Sequence, residues 1–238
     1  MRILSLPAGL TGLLLVAGAA SAAPLSFFNA QDFASANGVR ANWLSNIGIT
    51  APQHRVDFET GYTNGQDVQN AVFAGGLTMR YANGTNTLQV TNVAGAIGGS
   101  NPVDAFAVRI ADDDPVFELE LDFSASPVDY FAARDIDQFG SSIKVLLEDG
   151  TMQVFSIETT AASGDSAEFF GFGVATGPRI QRIHIDASSA GDGPWGLDNM
   201  EYGRIPEPGT LLLAGMALAS LATARRRTRS RCALSPRA

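Results

Sequence analysis

The sequence predicts an all-β protein, a two-sheet sandwich of the jelly-roll kind, and three observations carry that expectation. From Arg55 onward, short runs alternate apolar and polar residues with a period of two, the pattern of strands with one buried face. The runs recur about every 8–12 residues, a spacing typical of sandwiches and barrels. They are separated by Gly, Asn and Asp, and the chain holds 25 glycines, enough for many tight turns. Eleven candidate strands follow, over residues 55–59, 77–82, 87–92, 105–110, 116–123, 128–133, 141–148, 151–158, 168–173, 179–186 and 197–202. That many short strands without a long helix between them suit two packed sheets.

One hairpin can be drawn in detail. Asp149-Gly150 separates two alternating runs, and a two-residue turn there pairs Leu147 with Met152 and Val145 with Val154. Those four side chains would share the core face with Ile143, leaving Lys144 and Glu148 on the other face. Asn83-Gly84 offers a second turn of the same type. The segment 26–47 reads differently. Phe28, Phe33, Trp43, Leu44 and Ile47 are spaced as on short helices, and 39–47 ends at Gly48, a glycine stop. Asp112, Asp113 and Asp114 form a low-complexity acidic turn.

Charge and cysteine usage restrict the partners. All 24 acidic residues lie between Asp32 and Glu207. Only 9 of the 16 basic residues lie there, so that region carries a net charge of -15. Such a surface repels nucleic acid and anionic lipid and attracts divalent cations, and it also suits plain solubility. The one cysteine, Cys232, lies beyond the candidate strands. Stability must therefore come from the core or from metal rather than from disulfides.

Both ends read as addresses. Met1-Arg2, an apolar run to Ala20 and then Ala20-Ser21-Ala22 make a secretory signal peptide over 1–22, handled by the Sec translocon. The small-residue exit argues against a transmembrane anchor. Near the other end stand Pro206-Glu207-Pro208, an uncharged Leu/Ala-rich run over 210–224, and Arg225-Arg226-Arg227. Fifteen helical residues span about 22 Å, short of a ~30 Å hydrocarbon core, so the helix would insert marginally. The arginines would hold its end in the cytoplasm.

This arrangement resembles the PEP-CTERM sorting signal of Gram-negative bacteria. The resemblance implies recognition by an exosortase, a membrane cysteine protease-transpeptidase that removes the tail. It also implies transient anchoring in the inner membrane, followed by residence at the cell surface or in the extracellular matrix. The chain departs from the family in extending from Ser230 to Ala238 past the arginines. The expected organisation is a signal peptide (1–22), a sandwich ectodomain (23–205), a sorting signal (206–229) and a disordered tail (230–238).

The middle region carries a looser resemblance. Val56-Asp57-Phe58-Glu59 with Gly61, then Phe169-Phe170-Gly171-Phe172, then 193–203 with Gly-Leu-Asp-Asn at 196–199, are similar to the ectodomains of many PEP-CTERM proteins. The closing segment is similar to the last strand of jelly-roll carbohydrate-binding modules. In such modules a calcium ion commonly ties an early strand to the last one. The resemblance thus implies Asp57 or Glu59 together with Asp198 as oxygen ligands. Alternation would place Asp57 and Glu59 on one face and Phe58 on the other. The 112–114 aspartates are a second candidate cation site.

No catalytic set emerges. His184 alternates with Ile183 and Ile185 and so faces away from the core, and His54 precedes a strand. No Gly-x-Ser-x-Gly is present, and no motif selects a carboxylate pair for glycoside hydrolysis. The glycines at 171, 173 and 177 lack dinucleotide-loop spacing. Trp195 sits in a Gly/Pro-rich turn, placed either to stack on a sugar or to cover the core. Tyr62, Tyr81, Tyr130 and Trp195 do not fall on one face by spacing. The expected function is therefore that of an exported, exosortase-processed surface or matrix protein with a structural or binding role among exopolysaccharides. A carbohydrate-binding module with a defined glycan is the alternative reading, and a secreted hydrolase a distant third.

Overall fold

A computed structural model describes residues 25–30, 33–81, 88–93, 107–110, 118–136, 141–157, 167–174, 176–186 and 195–206. The expected signal peptide (1–22), Asn83-Gly84, the 112–114 aspartates and residues 207–238 lie outside the described residues. Twelve strands and one helix are described: β1 (Ser26–Ala30), α1 (Phe33–Asn46), β2 (His54–Val56), β3 (Thr78–Tyr81), β4 (Leu88–Thr91), β5 (Ala107–Ile110), β6 (Glu118–Asp122), β7 (Tyr130–Ile136), β8 (Ser141–Leu147), β9 (Met152–Ile157), β10 (Ala167–Gly173), β11 (Ile180–Asp186) and β12 (Trp195–Gly203). β2 to β12 overlap the eleven expected strands in order.

The strands form two antiparallel sheets. One runs β1-β10-β7-β12-β5-β4, with β2 also pairing β12, and the other runs β3-β6-β11-β8-β9. β12 pairs with β7 on one side. On its other side it meets β5 through Trp195 to Leu197, then β2 through Met200 to Tyr202. A bulge between Asp198 and Glu201 marks the changeover, with Asn199 at φ +49°. The added residue lets one strand edge serve two partners.

The main core lies between the sheets. Phe131, Phe170, Phe172, Leu197, Met200 and Tyr202 face Leu119, Leu121, Ile143, Val145, Ile183 and Ile185 across it. The larger sheet is also covered on its other side. Tyr130, Ala132 and Phe169 pack there against Ala36, Trp43, Leu44 and Ile47 of α1 and the turn that follows it. Those four positions recur at helical spacing and define the buried face. α1 is intrinsically weak, with Gly38 and Asn37, Asn42 and Asn46 in it, so packing must hold it.

Three expectations change. The strand at Ser26–Ala30 falls in a segment read as helical. It is an edge strand, and Phe27 stacks on Phe155 and Phe172, so a tertiary aromatic contact overrides the local pattern. Next, β2 stops at Val56, short of the expected 55–59. Phe58 turns left-handed (φ +58°) and drops its ring fully into the core against Tyr62 and Phe73, so burial still alternates with the half-exposed Asp57 and Glu59 although the strand has ended.

Third, the hairpin slips by one residue. Leu146 pairs with Met152, Lys144 with Val154 and Ile143 with Phe155. The loop is Glu148-Asp149-Gly150. It is closed by Leu147 donating to and accepting from neighbouring turn residues, and Gly150 takes φ +83°. A three-residue loop with glycine in the left-handed position uses the same dipeptide as a two-residue turn, and one residue of slip exchanges the faces. Ile143, Val145 and Leu147 remain buried as expected, but Met152 and Val154 are 54% and 60% exposed. Val145→Asp should therefore abolish cooperative unfolding, since an unpaired buried charge costs several kcal/mol. Val154→Asp should shift stability by under about 1 kcal/mol. Urea titration of both variants tests this register, because the two-residue turn would make both severe.

Candidate functional site

The described residues converge on one constructed feature, the stem by which the sandwich hands over to its C-terminal segment. α1 ends in a Schellman arrangement. The Ile49 amide donates to Leu44 O at 3.1 Å and the Gly48 amide to Ser45 O at 3.2 Å, with Gly48 at φ +72°. Glycine is favoured there because other residues resist a left-handed cap. Ile49 folds back onto the cluster that contains Leu44, and 50–53 then lead into β2.

The stem lies against this turn. Arg204 N donates to Gln53 Oε1 at 2.8 Å, and Ile205 N donates to Asp129 Oδ2 at 2.8 Å. Gln53 N in turn donates to the Tyr130 hydroxyl at 2.7 Å, and Asp129 N donates to Gly203 O at 2.8 Å. The Arg204 guanidinium lies 3.6 Å from Asp129 Oδ2 and donates to Pro127 O at 3.3 Å. Arg179 approaches Asp129 from the other side at 3.5 Å. Two guanidiniums and a backbone amide thus satisfy one largely buried carboxylate. A side chain at Gly203 would meet Gln53 Cβ at 2.5 Å and the Tyr130 hydroxyl at 2.7 Å, so the stem passes closely only because that residue is glycine. Beside it lies a groove of about 460 Å³ lined by Gly48, Ile49, Thr50, Ala51, Gln53, Tyr130, Arg204 and Pro206.

A second polar cluster fastens α1. Arg40 donates to both oxygens of Glu201 at 2.9 and 3.0 Å, and Glu201 is almost wholly buried. Arg134 donates to Asn37 at 2.6 Å and stands opposite Asp198 in the β7–β12 register. On the smaller sheet's outward face, Glu120 is buried among Arg80, Arg182 and His184. Nearby Asp122 feels some burial that raises its pKa, but Ser124 hydrogen bonds and the charges of Arg182 and Arg80 outweigh it and lower the value.

The expected calcium ligands are not assembled. Asp198 is fully buried beside its register partner Arg134. Asp57 accepts from the Glu59 amide at 3.2 Å and lies 3.9 Å from Arg55, whose guanidinium also reaches Asn199. Among the described residues no three His, Cys, Asp or Glu side chains form a group able to hold a metal.

His184 faces outward as expected and lies 3.4 Å from Glu120. His54 packs on the Tyr202 ring. Tyr81 and Tyr130 are buried, and Tyr62 packs edge-on against Phe58. The exposed large apolar side chains described are Val72, Val93, Met152 and Val154, none aromatic. Trp195 begins β12 rather than preceding it. Pro206 is described, whereas Glu207, Pro208, Arg225, Arg226 and Arg227 lie outside the described residues. Asp129, Gln53 and Tyr130 escape a sequence reading. They lie far from Arg204 in the chain, and no local spacing links them.

Comparison with known proteins places a PEP-CTERM protein-sorting motif at residues 204–227. The motif implies exosortase-dependent export and processing at a membrane. No curated protein matches the chain. Among solved structures, an exo-β-agarase is similar at 12% identity and TM-score 0.36, over 59% of this chain and 24% of that one. A CBM61 module in complex with β-1,4-galactotriose is similar at 12% identity and TM-score 0.34, over 62% of this chain and 94% of that one. A CBM32 module of Clostridium perfringens, in complex with GlcNAc-α-1,4-galactose, is similar at 12% identity and TM-score 0.33, over 65% and 99%. The chain thus spans less than a quarter of the agarase's length.

Two predictions follow from the buried groups. Removing Arg40 leaves the Glu201 carboxylate buried without its guanidinium, and Arg40→Ala should destabilise by about 2–3 kcal/mol in urea melts. Burial raises the pKa of Tyr130 and of Tyr202, with the Glu201 and Asp129 charges adding to the first and Tyr62 to the second, while the Gln53 amide lowers Tyr130 in part. A phenol with a raised folded pKa stabilises fully below its unfolded value of about 10 and loses that contribution as pH rises. The melting temperature should fall above about pH 10, and Tyr202→Phe should flatten the fall.

Proposed function

We propose that this bearer of a PEP-CTERM motif is an exported protein of the cell surface or extracellular matrix, cut from its tail by an exosortase and acting as a structural or binding element among exopolysaccharides. One observation carries the reading. The matched motif begins at Arg204, directly after the last residue of β12, so the folded sandwich is the cargo of the sorting signal. The -15 charge of the middle region supports a role in a hydrated, cation-containing matrix rather than on nucleic acid. His54 and His184, engaged by Tyr202 and Glu120, support no catalytic role.

Mass spectrometry of the protein recovered from the cell surface is the test. Peptides from 1–22 and from 225–238 should be missing, and tail peptides still joined to surface protein would contradict the reading. On a glycan array the mature protein should show no single preferred oligosaccharide. Saturable binding to one glycan would replace the structural role with that of a carbohydrate-binding module.

A further inference from the structure

We propose that the groove beside the stem is the surface on which the sorting protease seats against its folded substrate, an inference that rests on the sorting reading above. The occupant is identified by continuity. Arg204 and Pro206 are walls of the groove and also belong to the matched sorting motif. An enzyme that grips Pro206-Glu207-Pro208 must approach along this wall.

Reach makes the contact hard to avoid. Ile205 is held by Asp129, and the apolar run begins at Thr210. The five residue steps from Ile205 to Thr210 span at most about 18 Å when fully extended. If the apolar run lies in a membrane, a protease cutting between membrane and sandwich has no long linker to work on. It must lie against the end of the domain formed by Ile49, Thr50 and Ala51. The lining suits a short, partly apolar element, since it combines Gly48, Ile49, Ala51, Tyr130 and Pro206 with the polar Thr50, Gln53 and Arg204. The clamp keeps that surface in shape. Gln53 and Asp129 bind the stem amides, and Tyr130 binds the Gln53 amide, so motif and groove are presented together only in the folded domain.

The test uses the full chain with an epitope tag after Ala238, co-produced with an exosortase, and follows loss of the tag by pulse-chase. Thr50 and Ala51 are exposed, so Ala51→Trp and Thr50→Trp fill the groove without entering the core. Val154→Trp places the same bulk on the exposed face of β9 as a control. Melting curves of all three establish that they fold, and the two groove variants serve as substitutes for each other. Tag loss should slow about ten-fold in a folded groove variant, the factor that 1.4 kcal/mol of lost docking energy produces, and stay unchanged in Val154→Trp. Wild-type rates in a folded groove variant would overturn the proposal. So would a groove variant that alters membrane retention of the uncut chain when no protease is present, since lipid would then be the occupant. A wild-type chain left uncut would instead remove the sorting reading itself, and the docking proposal with it.

Discussion

The close approach of α1 to the larger sheet is the constraint on which the rest of this structure depends. Gly171 and Gly173 lie on the face of β10 that meets the helix. A methyl group at Gly171 would come within 3.0 Å of the Trp43 ring nitrogen, and one at Gly173 within 2.3 Å of Ile47. Bare backbone lets Trp43 lie flat enough to donate to Phe172 O at 3.2 Å, with its ring edge-on to Tyr130 and Phe169. The neighbouring Phe170 and Phe172 point into the main core. One strand thus serves two cores, with large residues on one face and mostly small ones on the other. A sheet buried on both faces must also bury its polar side chains, which is why Glu201 and Arg134 are matched by Arg40 and Asn37 of the helix.

β12 carries this two-sided burial to the functional end. It is flanked by β7 on one edge and by β5 and β2 in succession on the other. Its bulge keeps Leu197, Met200 and Tyr202 in the core while Asp198 and Glu201 face the helix. Because Tyr202 is anchored to Ala74 O at 2.6 Å and Gly203 is pressed against Gln53 and Tyr130, the chain leaves the domain at a set point and direction. The stem at 204–206 inherits that direction. A sorting signal attached here extends a rigid strand, and its surroundings are those of the α1 turn and the start of β7.

Particular residues show how far the sequence could be read. Strands such as β3, β8 and β11 followed from period-two alternation because each has one face in the main core, and burial of one face is what alternation records. The helix was legible from Val39 to Ile47, where the buried spacing and the glycine cap coincide, but its continuity back to Phe33 was not, because Asn37 and Gly38 interrupt the pattern. β1 was missed because its placement depends on Phe155 and Phe172, remote in the chain. The hairpin register was missed because Asp-Gly serves two loop lengths, and the choice between them rests on packing of Phe155 against Phe27 and Phe172. The surroundings of Asp198 were not legible for a similar reason, since its register partner Arg134 comes from β7, remote in the chain.

The sequence by itself determined the class of fold, the strand order along the chain, the acidic character of the middle region and the sorting motif, because each is written in local patterns of polarity, charge or residue identity. Tertiary structure alone decided which carboxylates would meet which arginines, that Phe58 would turn left-handed into the core, and that Asp129, Gln53 and Tyr130 would grip the stem beside a groove. These are contacts between segments about 70 to 150 residues apart. Their partners are selected by the geometry of two packed sheets, and no local pattern in the chain encodes that geometry.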